Sequence, residues 1–200
     1  MLGSIDDRAV IWISTHRFAP LNGFFVALGT VEKLGAIWVV CAIALGVAQR
    51  RGLLPTVVLA VLTGLATFIA DSVTFGLKDL VHRTRPFDAH PAIHPLYVVH
   101  SSSFPAGHAA TAFAGAVLLS YVAVRLAPLF FGLAALIAFS RVYDGVHYPT
   151  DVLAGAAIGA MVGGAAIVGL RLLARRFPAV EPLEPSATPR PQAKTRRSRA

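Results

Sequence analysis

"SRVYDGVHYPTDVLAGAAIGAMVGGAAIVGLRLL", residues 140–173, decides the fold. From Pro149 onward it runs for 25 residues in which only Asp151 and Arg171 carry charge. About 20 mainly apolar residues carry a helix across a membrane, so this segment is long enough. Gly155, Gly159 and Gly163 recur at four-residue spacing, the small-residue pattern that lets helices approach closely. Immediately before the apolar run, Arg141, Asp144 and His147 crowd into a short polar stretch. The segment therefore reads as a spanning helix whose N-terminal end is unusually rich in charge.

The rest of the chain has the same character. Of its 200 residues 56% are hydrophobic and 14% charged, against about 25% charged in soluble domains. Mean hydropathy is +0.66. Further apolar segments at 24–48, 54–77, 105–126 and 127–143 predict an all-α integral membrane helical bundle of about five transmembrane helices. Pro128 is expected in the first turn of the fourth. In residues 1–20 apolar Ile5, Val10, Ile11, Trp12, Ile13 and Phe18 alternate with Asp6, Asp7, Arg8, His16 and Arg17, which predicts an N-terminal interfacial amphipathic helix. Two early acids and the lack of a sustained apolar run argue against a cleaved signal peptide. Residues 21–176 form the expected membrane-embedded domain, and 177–200 a proline-rich basic tail with too little apolar surface to fold. Cys41, the only cysteine, excludes an internal disulfide and a cysteine-built metal site.

The formal charge of +8 does not point to nucleic acid, because the basic residues fall at segment ends and in the tail. Arg50 and Arg51, Arg125, and Arg171, Arg175 and Arg176 occupy one side of a five-span bundle, the cytoplasmic side by the positive-inside tendency. Residues 78–104 and 141–149 then share the outer face. Lys78, Arg83 and Arg85 stand there against that tendency, so cations at this face need a local partner.

Three polar clusters meet at that face. In "KDLVHRTRP", Lys78 and Arg85 lie seven residues apart, two helical turns, although Pro86 biases Arg85 away from helical geometry. Their natural partner is an anion. In "SSSFPAGH", residues 101–108, Pro105 suits a first helical position, which leaves the N–H groups of Ala106, Gly107 and His108 for a phosphate. In the opening stretch Pro149 starts a helix, His147 stands just outside it and Asp151 lies in its first turn. Such an aspartate can fix the imidazole tautomer and make the other ring nitrogen a better nucleophile. Arg141 adds a fixed cation.

Lys78 to Arg85-Pro86, then Pro105-Ala106-Gly107-His108, then Ser140-Arg141 to His147 and Asp151 resembles the three-part signature of the type-2 phosphatidic acid phosphatase superfamily of membrane lipid phosphatases. The resemblance implies that Lys78, Arg85 and Arg141 bind phosphate, with Ala106 and Gly107 contributing backbone at the substrate-binding site. It implies His147 as the nucleophile, Asp151 as its orienting partner and His108 as the acid for the leaving oxygen, with neither metal nor cofactor. Ala106 departs from the family's serine, which removes a hydroxyl contact and is expected to retune binding. Small members with an interfacial helix and five spans are similar to undecaprenyl-diphosphatases, which makes undecaprenyl diphosphate the first expected substrate. Phosphatidic acid, phosphatidylglycerol phosphate and lipid A phosphate are alternatives, as is phosphoryl transfer to a second lipid. The expected partners are the lipid phosphate substrate and membrane lipids, in the plasma or inner membrane with the site on the outer face. A transporter or scaffold that merely binds anionic headgroups is the non-enzymatic alternative.

His90, His94 and His100 are poorly spaced for a metal and are expected to line the substrate entrance. Glu32 and Asp71 lie within apolar segments, where a charge faces the bundle interior. They suit either support of the site or simple bonding between helices. No role is expected of Asp144.

Overall fold

The computed structural model describes residues 2–183, which form helices and turns with no strand among them. The helices are α1 (Leu2–Thr15), α2 (Asn22–Val31), α3 (Ala36–Ala48), α4 (Leu53–Val81), α5 (Pro86–Ala89), α6 (Gly107–Val122), α7 (Ala127–Tyr143) and α8 (Pro149–Arg176). The chain is an all-helical bundle with several membrane-spanning helices. The segments Leu53–Ala89, Val124–Tyr143 and Pro149–Arg176 are each long and apolar enough to cross a membrane, and α2 with α3 makes a sharply bent apolar pair, a broken span or a re-entrant loop. Their outward faces carry exposed Val57, Val61, Phe68, Leu153, Met161 and Leu172, as a lipid-facing surface requires.

Two spans differ from the sequence expectation. The first is broken rather than continuous over 24–48: α2 and α3 meet at 75°. Gly35 sits at φ +73 between them, Glu32 is buried at the corner and Lys33 is exposed. The third, α6, has 16 residues, about 24 Å of helix and short of the roughly 30 Å hydrocarbon layer. It is the central element instead. Twelve of its 16 residues are buried, and α4, α7 and α8 pack around it. Pro128 does lie in the first turn of α7.

Close approach of α6 and α8 explains the glycine column. A Cβ on Gly155 would overlap the carbonyl oxygen of Ala106, and one on Gly159 that of Ala110. Between lipid-embedded helices packing is the main attraction, and small residues maximise it. Gly155→Ala is therefore expected to cost about 1–3 kcal/mol of stability through overpacking, read as a lower thermal unfolding midpoint of the detergent-solubilised protein.

Helix α1 crosses the end of the bundle and contacts α5, α7 and α8. Val10 is buried there among Ile93, Val142 and Tyr148, while Ile5 and Trp12 stay exposed. It is amphipathic, as expected, but its polar side is also partly buried: Asp6 is 3% exposed. At the other terminus the expected disorder from residue 177 does not hold for the first residues. Pro178–Leu183 forms a 3-10 helix whose Val180 and Leu183 join the main core beside Trp38, Leu59 and Leu119. The remainder of the proline-rich basic tail lies outside the described residues.

Candidate active site

Lys78 lies in the last turn of α4, which ends at His82 in the left-handed conformation (φ +48). That reversal, not helical register, brings Arg85 beside Lys78. Arg85 has extended backbone ahead of Pro86. The two cations clasp the same segment: Lys78 Nζ donates to the Ser102 carbonyl at 2.7 Å, and Arg85 Nε to the Ser101 carbonyl at 2.6 Å. Arg85 also donates to Ser101 Oγ (3.0 Å), the Ser102 carbonyl (3.2 Å) and the Val146 carbonyl (2.7 Å). All these acceptors are neutral, so the positive charge is positioned without being cancelled.

Arg141, 2% exposed, leaves the last turn of α7 and reaches α2. Its guanidinium fills the space where any side chain on Gly29 would sit. It donates to Tyr97 Oη at 2.5 Å and to Ser140 Oγ at 2.8 and 3.0 Å. Asp144 Oδ2 lies 3.0 Å from its Nη2, which gives Asp144 a function: a buried counter-ion that fixes Arg141.

His147, in the turn joining α7 to α8, stands in the field of Arg85 and Lys78. Its Nε2 is 3.5 Å from Arg85 Nη1 and its Nδ1 3.5 Å from Asp151 Oδ2. The second separation is long for a hydrogen bond, and the buried Nδ1 has no other partner among the described residues. Catalytic hydrogen bonds often tighten only when substrate binds. Asp151 is held on all sides: Oδ2 accepts from Ser103 Oγ (2.5 Å) and the Tyr148 N–H (2.9 Å), and Oδ1 from Arg83 Nη1 (2.5 Å). A proton on Nδ1 facing this carboxylate leaves the Nε2 lone pair pointing toward Arg85.

Burial pushes the His147 pKa down to about 4, with Asp151 opposing and the Arg85 and Lys78 charges reinforcing the shift. The imidazole is therefore neutral at pH 7. An unfolded chain takes up this proton near its ordinary 6.5, the folded one only near 4. The associated stability is complete above 6.5 and is lost as pH falls through that window. The unfolding midpoint should fall between pH 7 and 4.5, and less steeply in His147→Gln, as differential scanning in detergent would read.

His108, in the first turn of α6, stands in the field of Arg141, His147 and Lys78. Its Nε2 lies 3.2 Å from the Gly29 carbonyl, which can only accept, so Nε2 carries the proton. Thr111, one turn on, donates to Glu32 Oε1 at 2.7 Å and ties α6 to the corner between α2 and α3.

The "FPAGH" segment departs from expectation. Helix α6 starts at Gly107 with Ala106 as N-cap, after a cis Phe104–Pro105 peptide, so Pro105 precedes the helix. The Ala106 N–H is not available to a ligand, because it donates to the Asp151 carbonyl at 3.0 Å. The Ala106 methyl packs with Ala109 and Ala138. A Cβ on Gly107 would stand 3.0 Å from Asp71 Oδ1 and 3.2 Å from Thr74 Oγ1, so Gly107 gives room to α4 on that side. The N–H groups of Gly107 and His108, at the helix start, have no intrahelical acceptor.

Of the loop histidines, His100 lines a cavity of about 380 Å³ together with His82, Arg83, Arg85, Ser101 and Ser102. His90 Nε2 pairs with Asp7 Oδ1 at 3.1 Å, and the His94 carbonyl accepts from Arg17. Sequence reasoning missed Asp6, Ser103, Tyr97 and Gly29, and gave Arg83 no role. Long-range partners carry no local pattern. The excess of cations around Thr84 was the one available sign.

A membrane bundle that gathers three cations, a helix start and a carboxylate-backed histidine toward one end defines a class: integral membrane proteins with a cationic, histidine-bearing site. The chain belongs to the PAP2 superfamily, whose model matches residues 55–173. It is 40% identical over 101 residues to decaprenylphosphoryl-5-phosphoribose phosphatase of Mycobacterium tuberculosis, across 50% of this chain and 55% of that protein. It is 30% identical over 159 residues to undecaprenyl-diphosphatase of Sulfolobus acidocaldarius, across 75% of this chain and 71% of the relative. The chain thus spans little more than half the length of the mycobacterial relative. The crystal structure of a transmembrane PAP2-type phosphatidylglycerolphosphate phosphatase from Bacillus subtilis superposes with a TM-score of 0.67 at 24% identity, covering 88% of this chain and 89% of that one. That likeness concerns the fold.

Proposed function

We propose that this protein is a lipid phosphatase that hydrolyses the terminal phosphate of a membrane-anchored phosphate ester or anhydride through a phosphohistidine on His147. One observation carries the reading: His147 presents Nε2 to Arg85 and Nδ1 to Asp151, each at 3.5 Å. Nε2 attacks phosphorus in line while the bond to the leaving oxygen breaks. His108 gives that oxygen a proton, which requires Nε2–H to exchange the Gly29 carbonyl for the leaving group. Water then attacks the phosphohistidine with His108 as base, releasing phosphate. Lys78, Arg85, Arg141 and the α6 start neutralise the equatorial oxygens, which is most of what phosphoryl transfer requires.

Undecaprenyl diphosphate is the first substrate, supported by the similarity to the Sulfolobus undecaprenyl-diphosphatase. Decaprenylphosphoryl-5-phosphoribose is the second, favoured by 40% identity to the mycobacterial phosphatase. Both are polyprenyl lipids whose terminal phosphate is bonded to a further polar group, and the cavity beside Arg85 has room for one. The distribution of Arg50, Arg51, Arg125, Arg175 and Arg176 supports a plasma-membrane orientation with the site outward.

The test is phosphate release by purified protein from undecaprenyl diphosphate, decaprenylphosphoryl-5-phosphoribose, phosphatidic acid and phosphatidylglycerol phosphate, with and without EDTA. Release from a polyprenyl substrate, undiminished by EDTA, is expected. No release from any of the four or from a lipid A phosphate would refute the reading, and strong inhibition by EDTA would refute its metal-free chemistry.

A further inference from the structure

Building on the phosphatase reading, we propose that Asp6, on the N-terminal helix α1, is a positioning residue for the reaction: together with Arg83 it brackets Asp151 from outside and so orients His147. Three ties meet at this point. Arg83 Nη1 donates to Asp151 Oδ1 at 2.5 Å and to Thr150 Oγ1 at 2.8 Å, and Arg83 Nη2 donates to Asp6 Oδ2 at 2.7 Å. Asp6 in turn accepts the Thr150 N–H at 3.0 Å and the Thr150 hydroxyl. A carboxylate from α1 thereby caps the second residue of α8, next to the aspartate that faces His147. The Arg83 guanidinium also lies over the Tyr148 ring, 4.0 Å from its centre.

The contrast with Arg85 shows what Arg83 is for. The partners of Arg85 among the described residues are neutral groups, which leaves its charge for an anion, whereas Arg83 is shared between two carboxylates and has no charge to spare. Its fork serves geometry. A carboxylate turns easily about its last bond, and Asp151 must keep Oδ2 toward His147 Nδ1. Ser103 Oγ and the Tyr148 N–H hold Oδ2 and Arg83 holds Oδ1, but a long flexible side chain anchored at one end holds its side poorly. Asp6 fixes the other end of the fork. Val10, one turn further along α1 and fully buried, seats the helix so that Asp6 arrives at the same place. Asp7 ties α1 down separately through His90 and touches neither Arg83 nor Asp151.

The experiment measures kcat and KM for the full chain in detergent with undecaprenyl diphosphate. Asp6→Asn keeps the shape and removes the charge. It is expected to lower kcat about 10- to 100-fold, the scale of a small misplacement of a reacting group, while KM stays within about threefold. Arg83→Lys should do the same. Since both act through Asp151, the double variant should be no worse than about the weaker single one rather than their product. Asp7→Asn, which loosens the docking of α1 alone, should remain within about threefold of wild type, whereas a merely structural role for α1 predicts equal losses in both aspartate variants. Unchanged kcat in Asp6→Asn, a loss confined to KM, or multiplying losses in the double variant would each overturn the proposal. If Asp6→Asn does not yield a monodisperse protein, Thr150→Val carries the test by removing the hydroxyl shared by Asp6 and Arg83: kcat should fall, and an unchanged kcat overturns the proposal. A wild-type protein inactive on every lipid phosphate refutes the phosphatase reading. An active wild type with unchanged variants refutes only the role of Asp6.

Discussion

His147→Ala is expected to eliminate phosphate release, by about 10³-fold or more, the scale seen when a nucleophile acting in concert with its partners is removed. The polar partners of the side chain among the described residues are Arg85 and Asp151, and it is not part of the main apolar core. The variant should therefore elute from size exclusion and bind lipid phosphate as the wild type does. The readout is twofold: phosphate release, and incorporation of label from a terminally labelled substrate into acid-labile, base-stable phosphoprotein. Both should vanish together. Turnover that survives in a folded His147→Ala protein would exclude a phosphohistidine on His147.

Arg85→Lys should lower kcat/KM by about 10²- to 10³-fold, comparable to loss of a preorganised donor at developing charge. The substitution keeps the charge and removes the fork. In the wild type that fork joins residues 101–102 to the Val146 carbonyl next to His147, through four hydrogen bonds. An ammonium cannot hold both sides, so the cradle and the nucleophile lose their common anchor. Steady-state kinetics against undecaprenyl diphosphate would read the loss. A variant within tenfold of wild type would mean that charge alone, not its placement, is what the site requires.

The groups of the proposed reaction were legible because each lies in a local pattern: Lys78 and Arg85 before a proline, His108 at a helix start, His147 and Asp151 astride another. What escaped was contact between distant segments. Asp6 reads as one polar residue on an amphipathic helix, and nothing within residues 1–20 tells that it meets Arg83 and Thr150. Averaging over a hydropathy window hid the 75° corner in the first span, although Glu32, Lys33 and Gly35 interrupt the apolar run there. The fate of the Ala106 N–H was equally hidden, since its acceptor is the backbone of Asp151, 45 residues on. Asp144 has no role legible in the sequence, because Arg141, three residues before it, reads as a phosphate-binding cation. Buried cations need a counter-ion as well as a ligand.

The shortness of α6 bears on where the chemistry takes place. Its far end passes into a turn bearing exposed Arg125, which belongs at the water boundary. With that end at the surface, about 24 Å of helix leaves Gly107 and His108 roughly 6 Å beneath the opposite rim of a 30 Å hydrocarbon layer. In the proposed reaction the phosphate would then lie at the bottom of a shallow well whose walls are the longer helices α4 and α8. A freely dissolved ester would have to shed its hydration to descend there, whereas a lipid brings its phosphate in from the side with its tail still in the bilayer. In the proposed reaction the membrane itself would then serve as the lid over the site.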